Sequence, residues 1–468
     1  LVNISLKARF FILSFELKYF SLDIFYSNDC SIAKEMNSLF FFLIIVIFTL
    51  VFLTGQSFII GCYYTNWSQH RQGFGYFNPS NIDPKLCTHL YYAFANINTT
   101  KRSPDPFEID EISSNGMYRQ FNRLKVQNRQ LKTLLSLGGA SVNTSQFRYV
   151  FKTNRIRQDF IRNTIRYLRK YQFDGLDLDW EYPMNDNDRQ IFTQTIRHYR
   201  SEFNKEAKST NRSRLLLTAA VAAYRPKIEI GYDVKEISRY LDYINLMSYD
   251  YHGSWNNFIG FNSPLSVRSD EIDHQRFLNQ QASVDIWTSH GCPPSKLVLG
   301  LGMYGRTFRL TEPFHRDIKP YSPARGPGLP GNYTGSKGFL AYYEICELMT
   351  KSQWNMSYDY EQEVPFAWKD DQWIGFDNRE SIEKKCLFIA QERLAGAMIW
   401  SLDLDDFRGR FCNEGKYPLL RTIRKTLEKL KQNSTKTSAR NFRNHSSARS
   451  TFSFLFFSIW SFILIKIF

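Results

Sequence analysis

Phe173-Asp174-Gly175-Leu176-Asp177-Leu178-Asp179-Trp180-Glu181-Tyr182 is the stretch on which the reading of this chain turns. Side chains alternate faces along a strand, so Asp177, Asp179 and Glu181 project to one side. Leu176, Leu178 and Trp180 project to the other, toward covering helices. Three carboxyls in a row on one buried strand face repel one another and lose solvation, so at least one proton is held among them near neutral pH. A carboxyl that keeps its proton in that range serves as a general acid. A calcium loop would instead set its acids on a Gly-containing turn, not along an apolar strand end.

Outward from this stretch, short apolar runs recur at 58–64, 89–97, 132–139, 173–182, 215–223, 243–251, 296–304 and 396–404. Helical stretches separate them. Between the third and fourth, Ile156, Phe160, Ile161, Ile165 and Leu168 recur at helical spacing with Arg and Lys on the opposite face. Strand and helix alternating eight times predict an α/β fold, a (β/α)8 TIM barrel. Periodicity alone leaves an open doubly wound sheet as the competitor. About ninety residues part the seventh run from the eighth, far more than one crossover helix needs. A Pro/Gly-rich piece (320–331) and the strand-like pieces 365–368 and 372–376 mark a small α+β insertion over about 306–385. Since loops after barrel strands build the active face, it is expected to wall a groove there.

The chain has 468 residues, 43% of them hydrophobic, enough for one large barrel with an insertion. The aromatic share is 16%, and part of the Phe excess sits at the two ends while Trp and Tyr lie mostly in the middle. Net charge is +15. The last 36 residues hold five cations and no acid and the first 57 balance, so the body carries the remainder, scattered and without a nucleic-acid motif. No nucleic-acid partner is expected.

The ends read differently from the body. The run 39–53 (LFFFLIIVIFTLVFL) follows Met36 and precedes Thr54, Gly55 and Ser57. Its length suits a signal-peptide core better than a membrane span of about 20 residues. Residues 1–57 are therefore expected to be a leader holding a signal peptide over 36–57, with Met36 as the start. The other reading is an uncleaved signal anchor. Acceptor triplets for N-glycans at Asn66, Asn98, Asn143, Asn211, Asn332, Asn355, Asn433 and Asn444 agree with secretion. In an oxidising compartment the seven cysteines can pair. After the body (58–428), a polar spacer (429–450) leads to an apolar tail (451–468) interrupted by Lys466. This predicts membrane attachment, by a short span or by a lipid anchor that replaces the tail; a translation artefact at the chain end is the bland alternative.

The segment DGLDLDWEYP (174–183) resembles the DxxDxDxE signature of family 18 glycoside hydrolases, the chitinases. The likeness runs from about Gly61 to Tyr417 and includes GCYYTNW (61–67), YYAFA (91–95), SLGG (136–139), INLMSYDYHGSW (244–255), GMYGRTF (302–308) and GAMIWSLDLDDF (396–407). Their order and spacing are similar to the animal branch of the family.

The resemblance implies an endo-acting hydrolase of β-1,4 linkages between N-acetylglucosamine units. Glu181 would protonate the glycosidic oxygen, and the substrate's own acetamide would attack C1 in place of a second carboxylate. Asp179 would hydrogen-bond the acetamide N–H and share a proton with Asp177. Tyr249 would bind the acetamide carbonyl, with Met247 and Asp250 beside the reacting sugar. Trp400 would floor that site, because sugar C–H faces pack on aromatic rings. Tyr63, Phe94, Trp67, Trp255, Tyr304 and Arg306 match other cleft positions.

The family position also implies disulfides Cys62–Cys87 and Cys346–Cys412, leaving Cys30, Cys292 and Cys386. No cofactor or metal is implied; chitin and chitooligosaccharides are the expected partners, and the protein is expected to be a monomer, extracellular or tethered to the outer cell surface. One departure stands out: the family normally carries Trp after Gly138-Gly139, and here the residue is Ala140. The alternatives are a chitinase-like lectin that binds chitooligosaccharides without cutting them, and action on the chitobiose core of N-glycans.

Overall fold

A computed structural model describes residues 58–312 and 318–433. The leader, the spacer from residue 434 onward and the tail lie outside the described residues, as does Cys30.

Eight parallel strands close on themselves: β1 (Ile59–Thr65), β2 (His89–Asn98), β4 (Lys132–Gly138), β5 (Gly175–Asp179), β6 (Leu216–Ala222), β7 (Tyr243–Met247), β8 (Leu297–Gly302) and β15 (Gly396–Trp400). Each pairs with the next, and β15 returns to β1, so the barrel is closed rather than an open sheet. β3 (Ser103–Pro106) is an antiparallel strand on β2 that the apolar runs do not announce, being short and polar. The helices between strands include α1 (Met117–Gln127), α2 (Thr144–Phe151), α3 (Asn154–Lys170), α4 (Asp186–Thr210), α5 (Arg225–Gly231), α6 (Val234–Tyr240) and α7 (Gln280–Ser289). On α3, Phe160, Ile161 and Leu168 are buried, as their spacing predicts.

Alternation sorts the strands' side chains into two cores. Leu176, Leu178 and Trp180 face the helices, where the Trp180 ring stacks on Phe147 of α2 at 5.1 Å. The lumen holds Ile59, Tyr63, Tyr91, Leu134, Val298 and Met398, a packed interior rather than a pore. Several strands end sooner than the apolar runs. β5 stops at Asp179 and β7 at Met247, so Glu181, Tyr249 and Asp250 stand just past the strand ends, at the barrel's mouth.

The insertion is a six-stranded antiparallel sheet of β9 (Tyr304–Leu310), β10 (Ala324–Pro327), β11 (Phe339–Ala341), β12 (Asn355–Asp359), β13 (Val364–Lys369) and β14 (Gln372–Gly375), with α8 (Tyr342–Lys351) between β11 and β12. It has its own core around Phe308, Phe366 and Trp373. Its sheet starts at Tyr304, two residues earlier than the sequence suggests. The helix α9 (Arg379–Gln391) that follows is the crossover to β15, not part of the insertion. Disulfides join Cys62 to Cys87 and Cys346 to Cys412, while Cys292 and Cys386 are free and buried. One glycan triplet is taken up by the fold, because Asn66 is buried and its amide donates to Glu111 at 2.6 Å.

Candidate active site

The inward face of β5 places Asp177 deep in the lumen and Asp179 one layer nearer the mouth. Register sets Ser136 of β4 on one side of Asp177 and Thr218 of β6 on the other. Asp177 accepts four hydrogen bonds there: from Tyr63 (2.7 Å), Ser136 (2.7 Å), Thr218 (2.6 Å) and the Asn245 amide (3.2 Å). Burial pushes its pKa up and these donors pull it back. No hydrogen bond joins Asp177 to Asp179 among the described residues; a shared proton would need one of them to turn from its present partners.

Asp179 is in the opposite condition. It is 2% exposed, and its Oδ1 finds no hydrogen-bond partner. Burial, then the charges of Glu181 and Asp177, hold its pKa well above the ordinary carboxyl range. A buried carboxyl with an unbound oxygen favours its protonated form and offers a polar atom to whatever enters. Glu181 is half-buried beside it. Burial raises its pKa, a hydrogen bond from Tyr182 and the charge of Lys227 lower it, and Asp250 raises it.

The rest of the mouth is built around these acids. Tyr249 reaches the lumen, its hydroxyl 3.8 Å from the Met398 sulfur, with Met247 half-buried two residues before it. Asp250 accepts from Tyr304 (2.6 Å) and from Arg306 Nε (2.7 Å), both on β9, which ties the insertion to the loop after β7. The Arg306 guanidinium also lies 5.0 Å over the Trp255 ring. Across the mouth, Trp400 at the end of β15 stacks on Phe94 at 5.8 Å, and Trp67 lies 6.0 Å from Phe94 and 6.2 Å from Trp400. The backbone is cis at Ala93–Phe94, Glu181–Tyr182 and Trp400–Ser401, all beside site residues.

Two hollows lie among these residues. One of about 510 Å³ is bounded by Tyr182, Lys227, Met247, Tyr249, Asp250 and Trp255. The other, about 600 Å³, is bounded by Trp67, Arg71, Arg306, Asn332 and Trp400. Each has an exposed ring in its lining: Trp67 is 42% and Trp255 58% exposed.

All thirteen candidate residues therefore converge on one end of the barrel. They do not all line the two hollows. Tyr63 is 1% exposed and its hydroxyl is spent on Asp177, so it orients a carboxylate from below. Tyr304 is likewise buried, its hydroxyl on Asp250. Ser136, Thr218 and Asn245, which cage Asp177, were not singled out by the sequence. Their signal was a lone polar residue at an inward position of an apolar strand.

Ala140 is exposed beside the mouth. The two glycines before it have positive φ, and a Cβ at Gly139 would lie 2.5 Å from the Phe94 ring. The glycines are thus required by close approach, while Ala140 presents only a methyl group to the exterior.

Residues 59–405 match the profile "Glycosyl hydrolases family 18". The chain belongs to that family. It is 43% identical to chitotriosidase-1 of Mus musculus over 373 residues, 78% of this chain and 77% of that protein. Among solved structures it is similar to an immunomodulatory active chitinase from Trichuris suis (36% identity, TM-score 0.76, covering 79% of this chain and 100% of that one). It is equally similar to human YKL-39, described as a pseudo-chitinase with retained chitooligosaccharide binding (39% identity, TM-score 0.75, 80% and 100% covered). Family 18 thus holds both active and inactive proteins close to this chain, and the side chains at the mouth must decide between them.

Proposed function

We infer that the protein is an endo-acting chitinase that cleaves β-1,4 linkages between N-acetylglucosamine units with retention. The observation that carries this reading is the pair at the mouth: Glu181, its pKa raised by burial, beside Asp179 with an unbound oxygen. A bound sugar stacks on Trp400, its acetamide turned down toward Asp179 and Tyr249. Glu181 gives its proton to the glycosidic oxygen as that bond to C1 breaks. The acetamide oxygen bonds to C1 from the other face, while Asp179 accepts from the acetamide N–H. Water then attacks C1, Glu181 takes a proton back, and the acetamide is released unchanged. Without an acetamide there is no nucleophile, which limits the reaction to 2-acetamido sugars.

The alternative is a chitinase-like lectin, favoured by the missing ring at Ala140 and the likeness to YKL-39. Such relatives typically lose the acid at the Glu181 position, and this chain keeps it. A chromogenic chitotrioside separates the two: release of the chromophore supports the enzyme, and binding without release supports the lectin. Secretion, with tethering through the apolar tail, is part of the same proposal, and the two disulfides support it.

A further inference from the structure

β6 ends at Ala222, and the chain turns into α5 with Pro226 in its first turn. This helix leans on the segment that follows Glu181. A Cβ on Gly231 would stand 2.6 Å from the Pro183 carbonyl oxygen, so the approach depends on residue 231 having no side chain. Lys227 lies four residues earlier, on the same face of the helix. It therefore overhangs Tyr182, the neighbour of Glu181, with its Nζ 3.9 Å from the ring centroid.

No ion pair or hydrogen bond engages that ammonium group among the described residues. Burial lowers its pKa and the charge of Glu181 raises it, while its own charge lowers the pKa of Glu181. Lys227 bounds the 510 Å³ hollow with Tyr249, Asp250 and Trp255. Asp250 in that wall is paired with Arg306, whereas Lys227 has no ion-pair partner among the described residues. On the chitinase reading the reacting sugar stacks on Trp400, and the sugar that leaves would then extend to the side of Tyr182 and the Lys227 hollow.

Resting on the chitinase reading above, we propose that Lys227 is a specificity-determining residue. It makes the leaving-side hollow accept N-acetylglucosamine units and refuse protonated glucosamine units. An acetamide is neutral and presents a carbonyl oxygen to the ammonium group. A free amine, protonated, sets like charge against like in a half-enclosed cleft where screening is weak. The ring of Tyr182 holds the ammonium in place, since a cation over an aromatic face is attracted to it. Substrate assistance already demands an acetamide on the reacting sugar; Lys227 extends the demand to its neighbour by a different force.

The test is digestion of half-deacetylated chitosan by the full chain, at a pH where free amines are protonated, with the ends of the products sequenced. Parent, Lys227→Met, Lys227→Gln and Lys227→Arg are compared. The new non-reducing ends derive from the leaving side. They should be almost all acetylated for the parent and for Lys227→Arg, and glucosamine there should rise about fivefold in the two neutral variants. An unchanged glucosamine share in both neutral variants overturns the proposal. The new reducing ends report separately on the chitinase reading: they should be acetylated in every protein. Free glucosamine there, or no products at all, removes that reading and this proposal with it.

Discussion

Asp179 has no protein partner for Oδ1, and on the proposed reading its contribution is made to the substrate. Asp179→Asn keeps the shape but replaces an acceptor with an amide, and turnover on a chitotrioside should fall by about 10²-fold or more. Steady-state rates check this, and an unchanged rate would remove Asp179 from the mechanism. Burial raises the pKa of Glu181, so the acid stays protonated above the ordinary glutamic range and activity should persist there before falling. Lys227 pulls the other way, and Lys227→Met should move the alkaline limb of the pH–rate profile upward. Tyr182 and Asp250 also act on Glu181, and neither changes in that variant. At Ala140, restoring the ring with Ala140→Trp should tighten long oligosaccharides by about 0.5–1.5 kcal/mol, read by titration calorimetry. The acidic row was legible in the sequence because alternation alone puts three acids on one face. The cage around Asp177 was not, since Ser136, Thr218 and Asn245 come from three other strands and meet only through register.

The eight strands were legible as apolar runs because both of their faces are buried, one by helices and one by the lumen. Their ends were not: 243–251 reads as one run, yet Ser248 donates back to a strand carbonyl and Asp250 takes a positive φ, which ends pairing at Met247. The disulfide Cys62–Cys87 closes a loop of 25 residues between β1 and β2. Its removal should cost about 2–4 kcal/mol in denaturant unfolding. Asp405, after β15, accepts from the backbone N–H groups of Leu419 and Leu420 at the start of the last described helix. Burial pushes its pKa up to about 7. Because folding raises this pKa, its contribution to stability is full below the unfolded value of about 3.9 and is lost as pH rises toward 7. Asp405→Asn should weaken the helix start, yet flatten the decline of stability between those pH values.

Over the whole molecule, the closed barrel places every candidate side chain at one end, and the insertion raises one wall through Arg306 and Tyr304. No helix among the described residues is long and apolar enough to cross a membrane. The tethering proposal therefore rests on the tail's composition. In animal cells, the full chain should stay with membranes and a version stopped at Lys431 should appear in the medium; equal solubility of both contradicts the tether. The central claim is that this fold cuts sugar rather than only holding it, and that Glu181 does the cutting. Glu181→Gln keeps the shape of the acid without its proton. Measured side by side on a chitotrioside, parent and variant should bind with similar affinity, while turnover in the variant should fall by at least about 10²–10⁴-fold. Equal turnover in the two, or a parent that binds and never cleaves, would contradict it.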